Sequence, residues 1–477
     1  MGLFVHRGMV CPPLAAFLAV LLLGGCTFIA PGPSPVVAMP ADVWQAPLPH
    51  EGSEVKLTDW WGQFDDPVLL QLVTTAAATH PNLQRALAAI QEARAALGVR
   101  QADGQPKADL TATNLRTGNR TGPTPATAAS ILPEATVYTA TGDAKWELDL
   151  FGGIRQAELA ATARLAGRAH NWHEARITLA AEVAGRYVNH RACRQLHAIQ
   201  AREVASRQTT LRLTGLAVEA GLQAPLDRHL AEARLSETVA ALTAQEALCD
   251  TAVKALVSLT GLTESILRLL LADERAGIPR PAAFTVTTLP ADLLAQRPDL
   301  AALERDLVAA GADLGVAEAN RWPRLTLLGN ITLSARYMTH AAMTTQPWSL
   351  GPSLALPLLD GGARRARVDE AQARYEQAQA RYLGAVRTAV EEVETALVNL
   401  DSIRRRVDEA HAVTAHQAAH YQTTAGLWRA GGASLLALEE SQRAALNAER
   451  AETVLQREQV QAWITLYKAL GGGWQGA

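Results

Sequence analysis

Two stretches of the chain alternate apolar and polar side chains with a period of two, the signature of strands with two unlike faces. In Val137–Leu150 one face reads Tyr138, Ala140, Ala144, Trp146, Leu148 and Leu150, and the other Thr139, Thr141, Asp143, Lys145, Glu147 and Asp149. In Arg324–Ala335, Leu325, Leu327, Ile331 and Leu333 alternate with Thr326, Asn330, Thr332 and Ser334. Lys107–Thr117 and Trp348–Leu359 carry weaker versions of the same pattern. The Gly/Pro/Thr-rich stretches Gly118–Thr136 and Arg336–Pro347 read as the hairpin loops between them. This predicts two strand pairs, four strands in all.

The rest of the chain has helical character. Leu83–Ala102 and Leu300–Asn320 each precede a proline, Pro106 and Pro323, which cannot continue a helix. After each strand pair a Gly-Gly break leads into a long run rich in Ala, Arg, Glu and Gln, from Ile154 to about Leu213 and from Ala363 to about Leu427. Neither run contains a proline, and roughly 60–65 residues of helix span roughly 90–100 Å. Gly215–Pro225 and Gly426–Ser434 read as tips, from which Leu226–Leu259 and Leu435–Leu470 return. Gly261–Pro298 is irregular and reads as a linker.

The same elements therefore occur twice in the same order. Pro81, Leu83, Ala95, Leu97, Gly98, Val99, Ala102 and Pro106 recur as Pro298, Leu300, Ala312, Leu314, Gly315, Val316, Ala319 and Pro323 without a gap. Gly152-Gly153 with Arg155 recurs as Gly361-Gly362 with Arg364, and Ala220-Gly221 as Ala430-Gly431. The expected division is 1–25 leader, 26–58 tether, 59–261 first repeat, 262–289 linker, 290–471 second repeat and 472–477 tail.

Four amphipathic strands with open edges cannot sit in hydrocarbon, where each unpaired backbone group costs several kcal/mol. They are too few to close a barrel alone. Two chains would supply eight strands, whose interior fills with side chains, and three would supply twelve, with room for water. A soluble sandwich fused to a coiled coil explains none of this. No apolar run reaches the length of a membrane-spanning helix.

Composition narrows the choice. Hydrophobic residues are 48% of the 477 and charged ones 19%, while Lys and Arg number 44 against 47 Asp and Glu, a formal charge of −3. That balance argues against nucleic acid, whose phosphates need a basic excess. At the N-terminus, His6 and Arg7 precede the apolar run Leu14–Leu23, short enough for a signal peptide. Leu23-Gly24-Gly25-Cys26 follows and has the pattern of a lipobox, in which Cys26 is lipidated. Pro31-Gly32-Pro33-Ser34-Pro35 then reads as a tether. Of the four cysteines, Cys11 lies in the leader, and Cys193 and Cys249 remain, with Gly221 midway between them. If two antiparallel helices turn there, the thiols lie at one height, either as a disulfide or as two buried thiols.

Four motifs resemble those of the TolC-type outer-membrane factors, in the lipoprotein branch with OprM-like and NodT-like members. They are Trp60-Trp61-Gly62-Gln63-Phe64-Asp65-Asp66-Pro67, Trp146-Glu147-Leu148-Asp149-Leu150-Phe151-Gly152, Gln296-Arg297-Pro298-Asp299-Leu300 and Leu356-Pro357-Leu358-Leu359-Asp360-Gly361-Gly362. The resemblance runs from Leu21 to about Gly471. It implies an α+β membrane protein: a homotrimer with a 12-stranded outer-membrane barrel that continues into a long periplasmic α-helical barrel. It also implies a periplasmic adaptor and an inner-membrane pump of RND type as partners, with the chain as a passive exit duct for small molecules. A lipid-anchored periplasmic scaffold or adaptor without a pore is the other reading.

The same resemblance locates a pore gate at Leu436, Glu440 and Arg443, with Asp227 contributed by the first repeat. Leu436 and Glu440 are helical neighbours at i,i+4, and Glu440 and Arg443 at i,i+3. Threefold symmetry would repeat them as rings able to close a pore. Gly221, Gly431, Arg429 and Ser434 become adaptor contacts at the tips. His411, His416 and His420 cluster before the second tip, where a solvated helix face is expected in preference to a metal site. No phosphate loop, nucleophile motif or cofactor pattern is present, and no catalytic residue is assigned.

Overall fold

The computed structural model describes residues 45–46, 57–118, 134–272, 277–281, 296–338 and 341–474. The leader, Cys26 and most of the tether lie outside the described residues. A 3-10 turn over Leu57–Phe64 leads into helices α1 (Pro67–Thr79) and α2 (Pro81–Asp103). Strands β1 (Lys107–Thr117) and β2 (Ala135–Leu148) follow, then α3 (Gly153–Glu219), α4 (Pro225–Thr260) and α5 (Glu264–Leu271). The second half comprises α6 (Pro298–Ala319), β3 (Arg324–Met338), β4 (Ala341–Thr345), β5 (Trp348–Ala355), α7 (Ala363–Arg429) and α8 (Leu435–Ala469). The duplication is plain in these spans: α3 and α7 both have 67 residues, about 100 Å of helix each. Their return helices have 36 and 35.

Both α2 and α6 begin at the proline itself, where its fixed φ and missing N–H suit the first turn. The long helices start on matching caps. Asp149 accepts from the backbone N–H groups of Ile154 and Arg155 at 3.1 and 2.9 Å, with Gly152 at φ +77° making the approach. Asp360 accepts from Gly362 and Arg364 at 3.1 and 3.2 Å, with Gly361 at φ +63°. A side chain would be strained at either glycine.

Several boundaries move from the sequence reading. The stretch Arg336–Pro347 is not a loop: β3 continues to Met338, and β4 returns on it from Ala341. The fourth strand line is therefore β4 plus β5, both paired to β3 and interrupted at Gln346-Pro347, where proline has no N–H to give the ladder. It ends at Ala355, not Leu359. Both long helices pass through a glycine placed in the tips, Gly215 and Gly426, because one interior glycine costs only about 1 kcal/mol. The stretch read as linker contains α5, whose Leu267 and Leu271 are buried. The short 3-10 turn and α1 were not foreseen either.

The chain divides into two compact units. One takes Gln91–Ala166 and Glu304–Ala380 and holds the sheet. All its pairings are antiparallel, in the order β1-β2-β3 with β4 and β5 on the far side of β3. Register puts Leu110, Gly142, Ile331 and Trp348 in one row, and Trp146 beside Leu327 in another. On this face Leu110, Trp348 and Leu350 are 80%, 74% and 72% exposed within one chain. The opposite face carries Thr141 and Thr332, whose hydroxyls lie 3.1 Å apart.

The other unit takes Val37–Ile90, Gly167–Leu303 and Arg381–Ala477 and is helical. Trp60 is fully buried and stacks on Tyr467 at 4.7 Å, with Trp61 and Phe64 edge-on around them. Asp66 caps α1 through the N–H groups of Val68 and Leu69 and accepts from the buried Tyr187 hydroxyl at 2.7 Å. Arg191 donates to that hydroxyl in turn. Arg297 grips Asp299 with both arms of its guanidinium, and also donates to Glu392 and to the Ala469 carbonyl. Two of the sequence motifs thus fasten this unit.

Candidate functional site

The two hairpin tips of the helical unit are built by one backbone device. At the first, Gly221 donates to Val218 and Leu222 to Ala217, with Gly221 at φ +75°. At the second, Gly431 donates to Trp428 and Gly432 to Leu427, with Gly431 at φ +78°. Both use a left-handed glycine to satisfy the last carbonyls of a long helix. Their return helices start differently. Pro225 opens α4 after Ala224, which gives no side-chain cap. Ser434 opens α8, and its hydroxyl accepts from Ala437 N–H at 3.1 Å.

Gly221, Arg429, Gly431 and Ser434, the four residues assigned to the tips from sequence, are all exposed. Arg429 borders a cleft of about 640 Å³ whose walls include Thr210, Tyr421, Trp428, Leu435 and Leu438. Of the four gate residues, the structure brings Asp227 and Leu436 together in a second cleft of about 360 Å³, beside Arg207, Arg234, Leu435 and Glu439. Leu436 is 58% exposed, a poor place for leucine unless something covers it. Glu440 is exposed and Arg443 half-buried. The two form no ion pair with each other among the described residues, and the Arg443 Nε is buried without a hydrogen-bond partner.

Next to Glu440 lies a charged centre that the sequence reading did not name. Glu439 is a half-buried carboxylate, paired with Arg207 at 3.7 Å. Burial pushes its carboxyl above the usual carboxylate range, against the opposing pull of Arg207, Arg443 and Arg234. Burial and the charge of Arg443 lower the pKa of Arg207. Three arginines thus act on one half-buried glutamate, joining α3, α4 and α8. Sequence spacing could not separate Glu439 from Glu440, because the choice depends on which way α8 turns toward α3. Alongside, Arg202 pairs with Glu449, Arg450 with Glu203, and Ser206 bonds Gln442, so α8 is tied to α3 along its length.

Cys193 of α3 and Cys249 of α4 are bonded, with Cα atoms 5.5 Å apart. His411 bonds Glu452 at 3.1 Å, and His416 and His420 are exposed. No group of three metal-ligating side chains occurs among the described residues.

Residues 72–262 and 289–472 match the family model described as outer membrane efflux protein. Nodulation protein T of Rhizobium leguminosarum bv. viciae is 30% identical over 475 residues, covering 96% of this chain and 93% of that one. Outer membrane protein OprJ of Pseudomonas aeruginosa is 29% identical over 472 residues, covering 97% and 96%. Among solved structures, the outer-membrane channel OprN superposes with a TM-score of 0.79 at 28% identity, over 93% of this chain and 100% of that one.

Proposed function

This chain belongs to the outer membrane efflux protein family, and from that premise we propose that it is the exit duct of a tripartite efflux system. Three copies close one barrel in the outer membrane, and their helical hairpins line the periplasmic passage. A periplasmic adaptor and an inner-membrane pump, of RND type, deliver small molecules to it. The duct itself is passive and performs no catalysis.

One observation carries this reading: a sheet with an apolar face, a polar face and two edges, β1 and β4/β5, that have no partner among the described residues. Lipid covers the first face, water fills the second, and neighbouring copies pair the edges. A lipid-anchored scaffold without a pore leaves all three unsatisfied. Detergent separates the two: with Cys26 replaced by Ser, a scaffold comes free of membranes in buffer, whereas a barrel leaves only in detergent.

Leu436, Glu440, Arg443 and Asp227 form the gate in this proposal, and Gly221, Arg429, Gly431 and Ser434 the tips that meet the adaptor. Lipidation at Cys26, after removal of 1–25, adds a second hold on the membrane. Conductance of the purified trimer in a planar bilayer tests the duct, with larger and more frequent openings expected after Leu436, Glu440 and Arg443 are all replaced by Ala. A silent triple variant would overturn the gate. Mass spectrometry of the mature N-terminus tests the lipid.

A further inference from the structure

Leu97, Gly98, Val99 and Ala102 of α2 are identical to Leu314, Gly315, Val316 and Ala319 of α6, yet the two sets have unlike surroundings. Leu314 is buried and Val316 half-buried, whereas Leu97 is half-buried and Val99 is 61% exposed. Identical residues cannot cause the difference; a neighbour does. A Cβ built on Gly315 would stand 3.0 Å from the Gln156 side chain of α3, and one on Gly153 of α3 would stand 3.3 Å from Ala319. A Cβ on Gly98 would meet nothing within 4 Å. The face of α6 that α3 covers is therefore open on α2 among the described residues.

The duplication identifies what fits there. The spacing that carries Gly153 to Gly362 carries Gln156 to Arg365, so α7 bears the counterpart of the covering face of α3. Arg365 and Gly362 are both exposed, and a Cβ on Gly362 would meet nothing within 4 Å. Within the chain the helices follow the order α2, α3, α6, α7, tied by Gln101 to Glu158, Arg164 to Asp313 and Arg364 to the Asn320 carbonyl. The two open faces thus belong to the two end helices of one row. Two different patches that complement each other join copies head to tail, and such contacts close into rings.

The counterpart seam lacks both fasteners of the seam inside the chain. In the chain Arg164 pairs with Asp313, and Phe151 stacks on Trp322 at 5.5 Å. Ala373 and Ala96 stand in the places of the ion pair, and Gln105 in the place of Trp322. No residue between Asp360 and Gly361 answers to Phe151. We propose that α7 of a second copy packs on α2 with its Arg365 over Gly98, and that this seam, lacking both fasteners, is the one along which copies part. It rests on the trimeric duct above.

Cysteine pairs test the contact directly, since Cys193 and Cys249 are already bonded to each other. Oxidised in membranes, G98C/R365C should run as dimers and trimers on a denaturing gel, and each single variant as a monomer. Q156C/G315C, the pair inside the chain, should run as a monomer throughout. G98L should lower the temperature at which the trimer dissociates in detergent by about 5 °C or more, through three overfilled contacts. Helical content should be retained, because leucine is the better helix former. G98L/R365A should recover the loss, and the grafted ion pair A96D/A373R should raise the dissociation temperature above either single variant. A trimer that G98C/R365C does not cross-link, or that ignores G98L, overturns the seam and leaves the duct intact. A loss in G98L that R365A does not relieve overturns the pairing of those two residues. A wild-type chain that is a monomer in membranes overturns the duct as well.

Discussion

In the helical unit Trp60, Leu72, Tyr187 and Leu466 lose all contact with solvent, whereas in the sheet unit Leu110, Trp348 and Leu350 stand open on one side. The helical unit closes on itself through aromatic stacking, a disulfide and the Arg297 network. The sheet is hydrogen-bonded between its own strands, but among the described residues nothing covers its apolar face or pairs its two edges. Within one chain the helical unit thus has a core, and the sheet among the described residues does not. Trimerisation and membrane insertion complete the sheet, while the helical unit keeps a core of its own with Leu222 and Leu226 left exposed.

Ile331→Lys strikes the sheet hardest. It places an ammonium in the row of Leu110 and Trp348, and a lysine on the lipid face costs about 2–4 kcal/mol at mid-depth, felt in each of three copies. The expected result is loss of the detergent-stable trimer, read by native electrophoresis, with helical content by circular dichroism retained. Trp60→Ala strikes the other side, removing a fully buried ring at a cost of about 3–5 kcal/mol. Its melting temperature should fall while the strands still insert once folded. If Ile331→Lys also melts the helices, the two units are not energetically separate.

How much of this division could be read in the chain follows from the same contrast. Period-two alternation exposed the sheet and both its faces because each residue's side is fixed by parity, and Tyr138 and Trp146 fell where parity put them. The duplication and the long helices were equally legible. The split of the fourth strand at Pro347 was hidden because a proline among threonines reads as a loop. Asp66 was quoted as part of a motif, but its bond to Tyr187, 121 positions away, leaves no local trace. The half-buried Glu439 went unnamed for the same reason: the face of α8 that meets α3 is a tertiary fact. At the N-terminus, Cys26 lies outside the described residues.

The disulfide sharpens the self-sufficiency of the helical unit. Cys193 and Cys249 close a loop with a sequence separation of 56, for which chain-entropy reasoning gives about 4 kcal/mol. C193S/C249S should melt several degrees lower, and its melting should no longer respond to reductant, whereas the wild type should. Trimer formation by the sheet should be unchanged once the variant is folded.

His190 gives the helical unit a pH limit. Burial, with the charges of Arg191, Arg194 and Arg268, pushes its imidazole down to about 4 from 6.5. The folded form stays neutral while the unfolded chain takes up a proton between those values. The contribution to stability is therefore complete above pH 6.5 and is lost as pH falls toward 4, by up to about 3 kcal/mol. Thermal melts between pH 7.5 and 4.5 should show the fall, and His190→Gln should flatten it.

The smallest expected effect separates the two tips. They share a glycine turn but not a helix start, so Ser434→Ala should cost about 1 kcal/mol at the second tip alone. Nothing at the first tip corresponds to it, since Pro225 opens α4 through its fixed φ and not through a side-chain bond. Hydrogen exchange is the right readout, because a frayed first turn changes local protection before it changes a melting temperature. Ala437 and its neighbours should exchange about fivefold faster, matching 1 kcal/mol, while the turn after Pro225 keeps its rate. Leu436 lies in that loosened turn and Asp227 lies across the cleft in the unaffected one. If Ser434→Ala raises the frequency of channel openings, the second tip controls the proposed gate; if only Asp227→Asn does so, control belongs to the first.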